Sequence, residues 1–549
     1  MKYFQLVFGF VILLNPNDTI AQEKPKSFGE IHGNFEATTQ YYIDDTIIGA
    51  PPVPEKVLMN GFLNLIYTKD KFEAGVRYES YQNALLGFSP DYKGNGIPFR
   101  YAKYSGDDLE ITVGSFYEQF GNGQILRFYE ARSLGFDNAL DGIRVKYNVK
   151  GLNLTGLIGE QRWYFSKGPG IVRGLNGDWD INEAFEKLEK SKTRLSIGSS
   201  VVSKYQEDNN LNLTLPENVM TYGGRFSLYR SGFSLKGEYT YKYNDPTSDN
   251  GYIYKPGQAF FLSGAYSQKG FGIAVSAKTI DNMFYRSDRN NSSIFNDLLI
   301  NYIPALTKQH TYNLMGTLYP YATQPRGEVA YQADVIYTFK RKSFIGGKYG
   351  TTLQVNYSFA NNIDTTHLND ENTTRLGYET KLFSLGEQKY YSDFNVEISK
   401  KFSKKIKTKL TYQNLFYNID VIQGKPGESN VIANVFVADV LYKFNSKNAI
   451  RTELQGLFTD QDQGDWSTFV IEYTNSPHWF VAIQDQYNNG NKNVDKRIHY
   501  FYSSVGYIKG ANRITLNYGK QRAGIFCVGG VCRTVPASNG VNLSITSSF

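Results

Sequence analysis

Apolar and polar residues alternate with a period of two through segment after segment of this chain, and the alternation runs to its last residue. In "VNLSITSSF", Val541, Leu543, Ile545, Ser547 and Phe549 fall on one face and Asn542, Ser544, Thr546 and Ser548 on the other. Period two belongs to β-strands, whose successive side chains point to opposite sides of a sheet. The final residues of a soluble domain are usually frayed and polar, so an aromatic at the end of an apolar strand face needs a special reason. Seven segments carry the same alternation twice: "NGFLNLIYTKDKFEAGVRYESYQ", "GIRVKYNVKGLNLTGLIGEQ", "GGRFSLYRSGFSLKGEYTYKY", "FFLSGAYSQKGFGIAVSAK", "DFNVEISKKFSKKIKTKLTYQNLF", "VADVLYKFNSKNAIRTELQGLF" and "YSSVGYIKGANRITLNYG". In each, two runs are joined by a few Gly, Ser, Asn or Lys residues, which is the pattern of a β-hairpin.

A second kind of connection is long and polar, as in "YNDPTSDNGYIYKPG", "ANNIDTTHLNDENTT", "TDQDQGDW" and "QYNNGNKNVDKR". Short turns alternating with long loops are the asymmetry of outer-membrane barrels, with turns towards the periplasm and loops outside. Composition agrees. Tyr (43) and Phe (37) are abundant, yet the mean hydropathy is -0.42, and no stretch after residue 21 approaches the length of an apolar helical span. The competing class is a soluble β-sandwich or solenoid. The expected fold is an all-β, transmembrane antiparallel barrel of about 24 strands (roughly 22–26), even in number so that both ends lie in the periplasm.

The N-terminal "MKYFQLVFGFVILLNPNDTIAQ" has Lys2, an apolar run and Thr19-Ile20-Ala21 before Gln22, the pattern of a secretory signal peptide cleaved after Ala21. Residues 1–21 are therefore expected to be removed, leaving a single barrel domain over 22–549. Fewer than about ten residues separate Gln22 from the first strand near Phe28, too few for an N-terminal plug domain. The net charge of +7 is modest, and no basic stripe with interleaved aromatics points to nucleic acid. Basic residues gather in short turns, as in Lys340-Arg341-Lys342, Lys400-Lys401 and Lys404-Lys405, where snorkelling at the membrane surface explains them.

Alternation also assigns faces. Phe72, Ala74, Val76 and Tyr78 oppose Glu73, Arg77 and Glu79; Phe394, Val396 and Ile398 oppose Asp393, Asn395 and Glu397; Arg451, Glu453 and Gln455 lie together. A Lys or Arg facing mid-bilayer lipid costs about 2–4 kcal/mol, so the charged face must be the lumen. Its charges are of both signs, which suits either a hydrated pore with a mixed lining or a lumen closed by a salt-bridged network.

"FGNGQILRFYEARSLGFDNALDGIRVKY" is the most distinctive segment, a Gly-rich connection carrying Arg127, Glu130, Arg132, Asp137, Asn138, Asp141 and Arg144. It is expected either to dip into the lumen and line a constriction or to pack as a salt-bridged loop on the rim. "GPGIVRGLNGDWDINE" is a candidate neighbour, contributing Arg173, Asp178 and Asp180. Residues 286–325 read as a long loop with a short helix near 294–303, folded inward or over the mouth, or as a hidden hairpin; residues 183–191 read as a helical turn. The only two cysteines, Cys527 and Cys532 in "CVGGVC", are expected to form a disulfide stapling the last long hairpin. Five scattered histidines show no metal spacing, no nucleophile elbow marks an enzyme, and no cofactor is expected.

With these features together, the chain resembles outer-membrane β-barrels of the Bacteroidota, in the Tyr-, Asn- and Lys-rich style of the whole mature sequence. "GQILRFYEARSLGFDNALDGIRV" and the cysteine hairpin followed by "VNLSITSSF" are similar to an uncharacterised porin-like family of that group. The resemblance implies a barrel in the outer membrane and no substrate. Phe549 resembles the terminal aromatic that barrel-assembly machinery reads, making lipid and that machinery the expected partners, with protein partners at the extracellular loops a further possibility. Two functions follow: a porin-like channel or transporter for small polar solutes, or a non-transporting barrel serving as scaffold in an assembly or secretion complex. "VNLSITSSF" is expected to be the closing strand, because an unpaired edge would leave bare backbone groups in hydrocarbon.

Overall fold

The computed structural model describes residues 28–291, 298–369, 374–528 and 531–549, without the side chains of 525–528 and 531–534. The predicted signal peptide, 1–21, lies outside the described residues. Backbone hydrogen bonds join the described chain into one closed sheet of 24 antiparallel strands. The first and last strands close it. Ser538–Ser548 pairs with Asn512–Gln521 on one edge and with Glu30–Tyr42 on the other, so that Ile545 stands opposite both Ile514 and Ala37. Phe549 and Gly33 exchange both backbone hydrogen bonds, at 2.9 and 3.0 Å, which holds the last residue in the ladder. The closing strand is the expected one.

Side chains sort by period two around the wall. On Phe72–Gln82, Phe72, Val76 and Tyr78 are exposed on the outer surface while Arg77 and Glu79 are buried inside. On Leu385–Lys401, Phe394 and Ile398 face out against buried Asp393 and Asn395; on Asn448–Phe458, Leu454 faces out against Glu453 and Gln455. The outer surface is thus a band of Leu, Ile, Val, Phe and Tyr, the surface a bilayer requires.

Connections of two to four residues (70–71, 106–108, 150–151, 231–232, 269–270, 402–405, 444–447, 510–511) share one end of the barrel with the start of the first strand and the end of the last. Lys150 and Gly151 both take positive φ (45° and 75°), as a two-residue hairpin turn that follows the strand twist demands. Residues 183–191 form the expected helical turns, Ile181–Ala184 and Glu186–Glu189, the first capped by the Asp180 carboxylate on the amides of Asn182 and Glu183.

The opposite end carries the long connections, and two of them, 117–139 and 282–326, turn inward. In the second, residues 294–297 of the predicted helix lie outside the described residues, and the described remainder is not helical. Leu299 bridges Arg286, Ile300 N–H donates to the Tyr285 carbonyl (2.8 Å), and Ser287 N–H to that of Leu298 (3.0 Å). The helical turn lies later, at Asn313–Gly316. A separate hairpin, Gly524–Val528 with Val531–Val535, sets Cys527 opposite Cys532 in register; the cysteine side chains lie outside the described residues.

Candidate functional site

After Phe116 the chain leaves the wall and crosses the lumen. Its local fold is two small hairpins, Glu118–Phe120 with Leu126–Phe128 and Glu130–Ala131 with Phe136–Asp137. Gly121 and Gly135, at φ 55° and 61°, make the tight reversals that keep the segment compact. Phe120, Leu126 and Phe128 are fully buried against Leu157 and Val202 of the wall and against Tyr285 and Ile300 of the second inward connection. The two connections are stitched together: Arg127 N–H donates to the Ile300 carbonyl (2.8 Å), Tyr302 N–H to that of Gly123 (2.9 Å), and the Asn138 amide to that of Leu299 (3.0 Å). The Arg127 guanidinium lies against the rings of Tyr129 and Tyr302, 4.4 and 4.5 Å from their centres. They form one body, a plug within the lumen.

An ion network fastens one side of the plug to the wall. Arg162 reaches Glu79 (2.6 Å) and Asp137 (2.6 Å); Arg77 reaches Glu79 (2.7 Å) and also contacts Asp137. All four side chains are 5% exposed or less. The Tyr117 hydroxyl donates to Asp137 (3.0 Å) and the Tyr81 hydroxyl to Glu79 (2.9 Å). Glu130 joins Arg77 (3.2 Å) to Arg132 (2.8 Å), and Arg132 continues to Glu36 on the first strand (3.1 Å). Arg144 holds the root of the plug through Glu118 (3.2 Å) and Glu110 (2.8 Å).

Elsewhere on the wall, Glu238 accepts the Asn122 amide N–H (2.9 Å). Across the lumen, residues 308–319 contact the wall in series. Lys308 donates to Asn395 (2.9 Å), His310 meets Asp393 (2.5 Å), the Tyr312 hydroxyl donates to Asp439 (3.2 Å) and Leu314 N–H to Gln455 (2.9 Å). Leu314, Met315 and Tyr319 pack into an apolar cluster with Leu415, Tyr417 and Trp466 of the wall. Nearer the short-turn end the lumen is lined by partly exposed polar groups of both signs, with Arg451 between Asp439 (3.1 Å) and Glu472 (2.9 Å), and Lys409 on Glu397 (3.3 Å).

Of the residues singled out from sequence, Arg77, Glu79, Glu130, Arg132 and Asp137 meet in one network; Arg127 and Arg144 serve the plug separately. Asp178 lies on the lumenal face of the wall, paired with Arg225 (2.6 Å). Two residues read as lumenal are not. Asp141 shares the outer face with Ile143, and Arg173 with Leu175, because buried Leu140 and Val172 precede them and alternation then turns these side chains out. Arg162 was missed. A register shift between Glu160 and Arg162 places consecutive Gln161 and Arg162 both inside, and a bulge leaves no mark in the alternation.

Burial alone would push the Asp137 carboxyl up, but the Arg162 and Arg77 guanidiniums outweigh it and hold it below the usual carboxylate range. A carboxyl depressed on folding contributes stability above its unfolded pKa of about 3.9 and loses it as pH falls through the lower folded value. Hydrogen exchange over 117–139 is therefore expected to stay slow from pH 7 to about 4 and to accelerate only below that. Loss of protection already near pH 6 would show that another group controls the plug.

The sequence profile of a "Family of unknown function (DUF6029)" matches residues 1–549. The chain belongs to this family. No curated protein matches this DUF6029 member by sequence. Among solved structures it is similar to the P pilus usher (PapC) translocation pore, at 9% identity over 94% of this chain and 99% of that one, with a TM-score of 0.44. It is also similar to the siderophore receptor PirA from Pseudomonas aeruginosa, at 10% identity over 96% and 81% of the two chains and a TM-score of 0.41. A third is OpdK from Pseudomonas aeruginosa, solved with vanillate, at 8% identity over 95% and 98% and a TM-score of 0.33.

Proposed function

We propose that this DUF6029 protein is an outer-membrane channel for small polar solutes, held shut by a plug made from its own inward connections. The observation that carries the reading is the plug itself, reaching from Glu36 on the first strand to Gln455 across the lumen. A barrel of this strand number must be filled, plugged or open. The mixed-charge lining towards the short-turn end suits water and polar solutes. In this reading the signal peptide exports the chain, the short turns face the periplasm and the plug occupies the extracellular half. Cys527 and Cys532 then meet an oxidising compartment and close a disulfide; after denaturation, a thiol reagent is expected to label neither without reductant and both with it.

Replacing residues 118–138 by a short Gly-Ser linker tests the channel. Planar bilayers are expected to show a low baseline for the native protein and steady open steps for the variant. The apolar packing of Leu314, Met315 and Tyr319 on the wall favours a second reading, a permanently filled barrel serving as a partner subunit. Absence of conductance in both proteins, with a stable co-purifying partner, would favour that scaffold and end the channel proposal.

A further inference from the structure

A cluster of charged residues stands on the outer wall among apolar ones. Arg100 pairs in register with outward Val76, and Asp141 and Glu160 lie two residues from outward Ile143 and Ile158. The Lys167 ammonium joins Asp141 (3.2 Å) to Glu160 (3.3 Å), while Arg100 reaches Asp141 only at 3.5 Å and keeps 56% of its side chain exposed. On Gly94–Ser105, Arg100 stands six positions before Gly106, where the short turn begins. By strand rise and tilt that is roughly 15 Å above the short turn, inside the apolar band. A lone Arg there would cost about 2–4 kcal/mol, so the position calls for a partner.

The wall is also unusual at this point. The ladder between Gly94–Ser105 and Leu109–Phe116 stops at Tyr101, and the Arg100 N–H turns to the Ser115 hydroxyl (3.3 Å). Gly114, at φ 103°, lies so near that a Cβ there would meet the Arg100 carbonyl at 2.3 Å. From this break a groove of about 810 Å³ runs towards the short-turn end, walled by Ile31, Tyr67, Val113 and Ile143 over a floor of Ala74 and Ala102, with Arg100, Asp141 and Lys167 at its head. Two other outer-wall grooves, of about 440 and 650 Å³, have no charged residue in their lining.

We propose that this groove binds one membrane lipid whose headgroup carries a phosphate followed by a primary ammonium. The order of chemistry along the wall matches such a molecule: an apolar trough for an acyl chain, then the under-satisfied Arg100 guanidinium for the phosphate, then the Glu160 carboxylate, 41% exposed, for the ammonium. Two cations and two carboxylates leave the cluster neutral, which suits a zwitterion better than a simple anion. The site requires the outer wall to face lipid but not that the barrel conducts, so a non-conducting barrel leaves it standing.

Native mass spectrometry of the full-length mature protein in detergent, offered phosphatidylethanolamine or phosphatidylglycerol, tests it. The native protein is expected to keep one phosphatidylethanolamine in preference to phosphatidylglycerol. Arg100→Gln is expected to lose both adducts, and Glu160→Gln to lose only the preference, each with native heat-modifiable gel mobility to show an intact barrel. Equal retention of the two lipids by the native protein, or unchanged retention by both folded variants, would overturn the proposal.

Discussion

Arg162→Met is expected to release the plug while leaving the wall intact. The substitution keeps most of the side-chain volume but takes the guanidinium from between Glu79 and Asp137, leaving two buried carboxylates to share Arg77. Breaking a buried ion pair from one side costs about 3–5 kcal/mol, because the partner left behind has neither water nor countercharge. If that cost falls on the docked state, opening of 117–139 becomes roughly a hundred- to several thousandfold more frequent, at about 1.4 kcal/mol per tenfold. Hydrogen exchange should report it as fast exchange across 117–139 against unchanged protection in the strands, and bilayers as brief openings. Adding Glu79→Gln removes the surplus negative charge and is expected to restore part of the protection. Unchanged exchange in Arg162→Met would mean that apolar packing around Phe120 and Tyr285, and not the ion network, keeps the plug in place.

Leu454→Arg is expected to damage the wall itself. Leu454 points outward, 54% exposed, near the middle of Asn448–Phe458 and opposite Ala438 and Phe469 of the neighbouring strands. An arginine at that depth costs about 2–4 kcal/mol, and unlike Arg100 it has no charged residue in the outer-wall groove beside it. The same change at Gln484, beside outward Ile483 on Trp479–Tyr487, would point into the lumen at a partly exposed position. Gln484→Arg should therefore leave the unfolding midpoint in urea near native, with a clear drop for Leu454→Arg. Equal behaviour of the two variants would contradict the placement of this face in lipid.

Period two made the barrel legible from sequence. It assigned inside and outside correctly for Arg77, Glu79, Asp393 and Gln455, and it marked the strand that closes the sheet. Its failures were all matters of phase. Asp141 was grouped with its acidic and basic neighbours in a connection, yet the strand already begins at Leu140, and one residue decides the face. Arg162 was invisible because a bulge resets the phase inside a strand. The plug was legible in part. The Gly-rich segment drew attention through its charges, but Phe120, Ile125, Leu126 and Phe128 decide between lumen and rim, since only an interior site buries all four. Their partners Tyr285 and Ile300 lie more than a hundred residues further on, a separation over which local pattern carries no information.

Closure of the wall by its two ends also sets the order of assembly. Thr38 and Ser544 share a side-chain hydrogen bond across 506 positions of sequence, so this seam spans the largest loop the chain can make. Contacts of such separation form late, after the entropy of the intervening chain has been spent by nearer pairings. Each hairpin can zip onto its predecessor in turn, and both inward connections belong to strands laid down well before the seam. The plug can therefore settle against a curved, still open sheet, with Glu79 and Arg162 already positioned to receive Asp137. When Phe549 docks beside Gly33, it shuts a vessel that has been packed from the side.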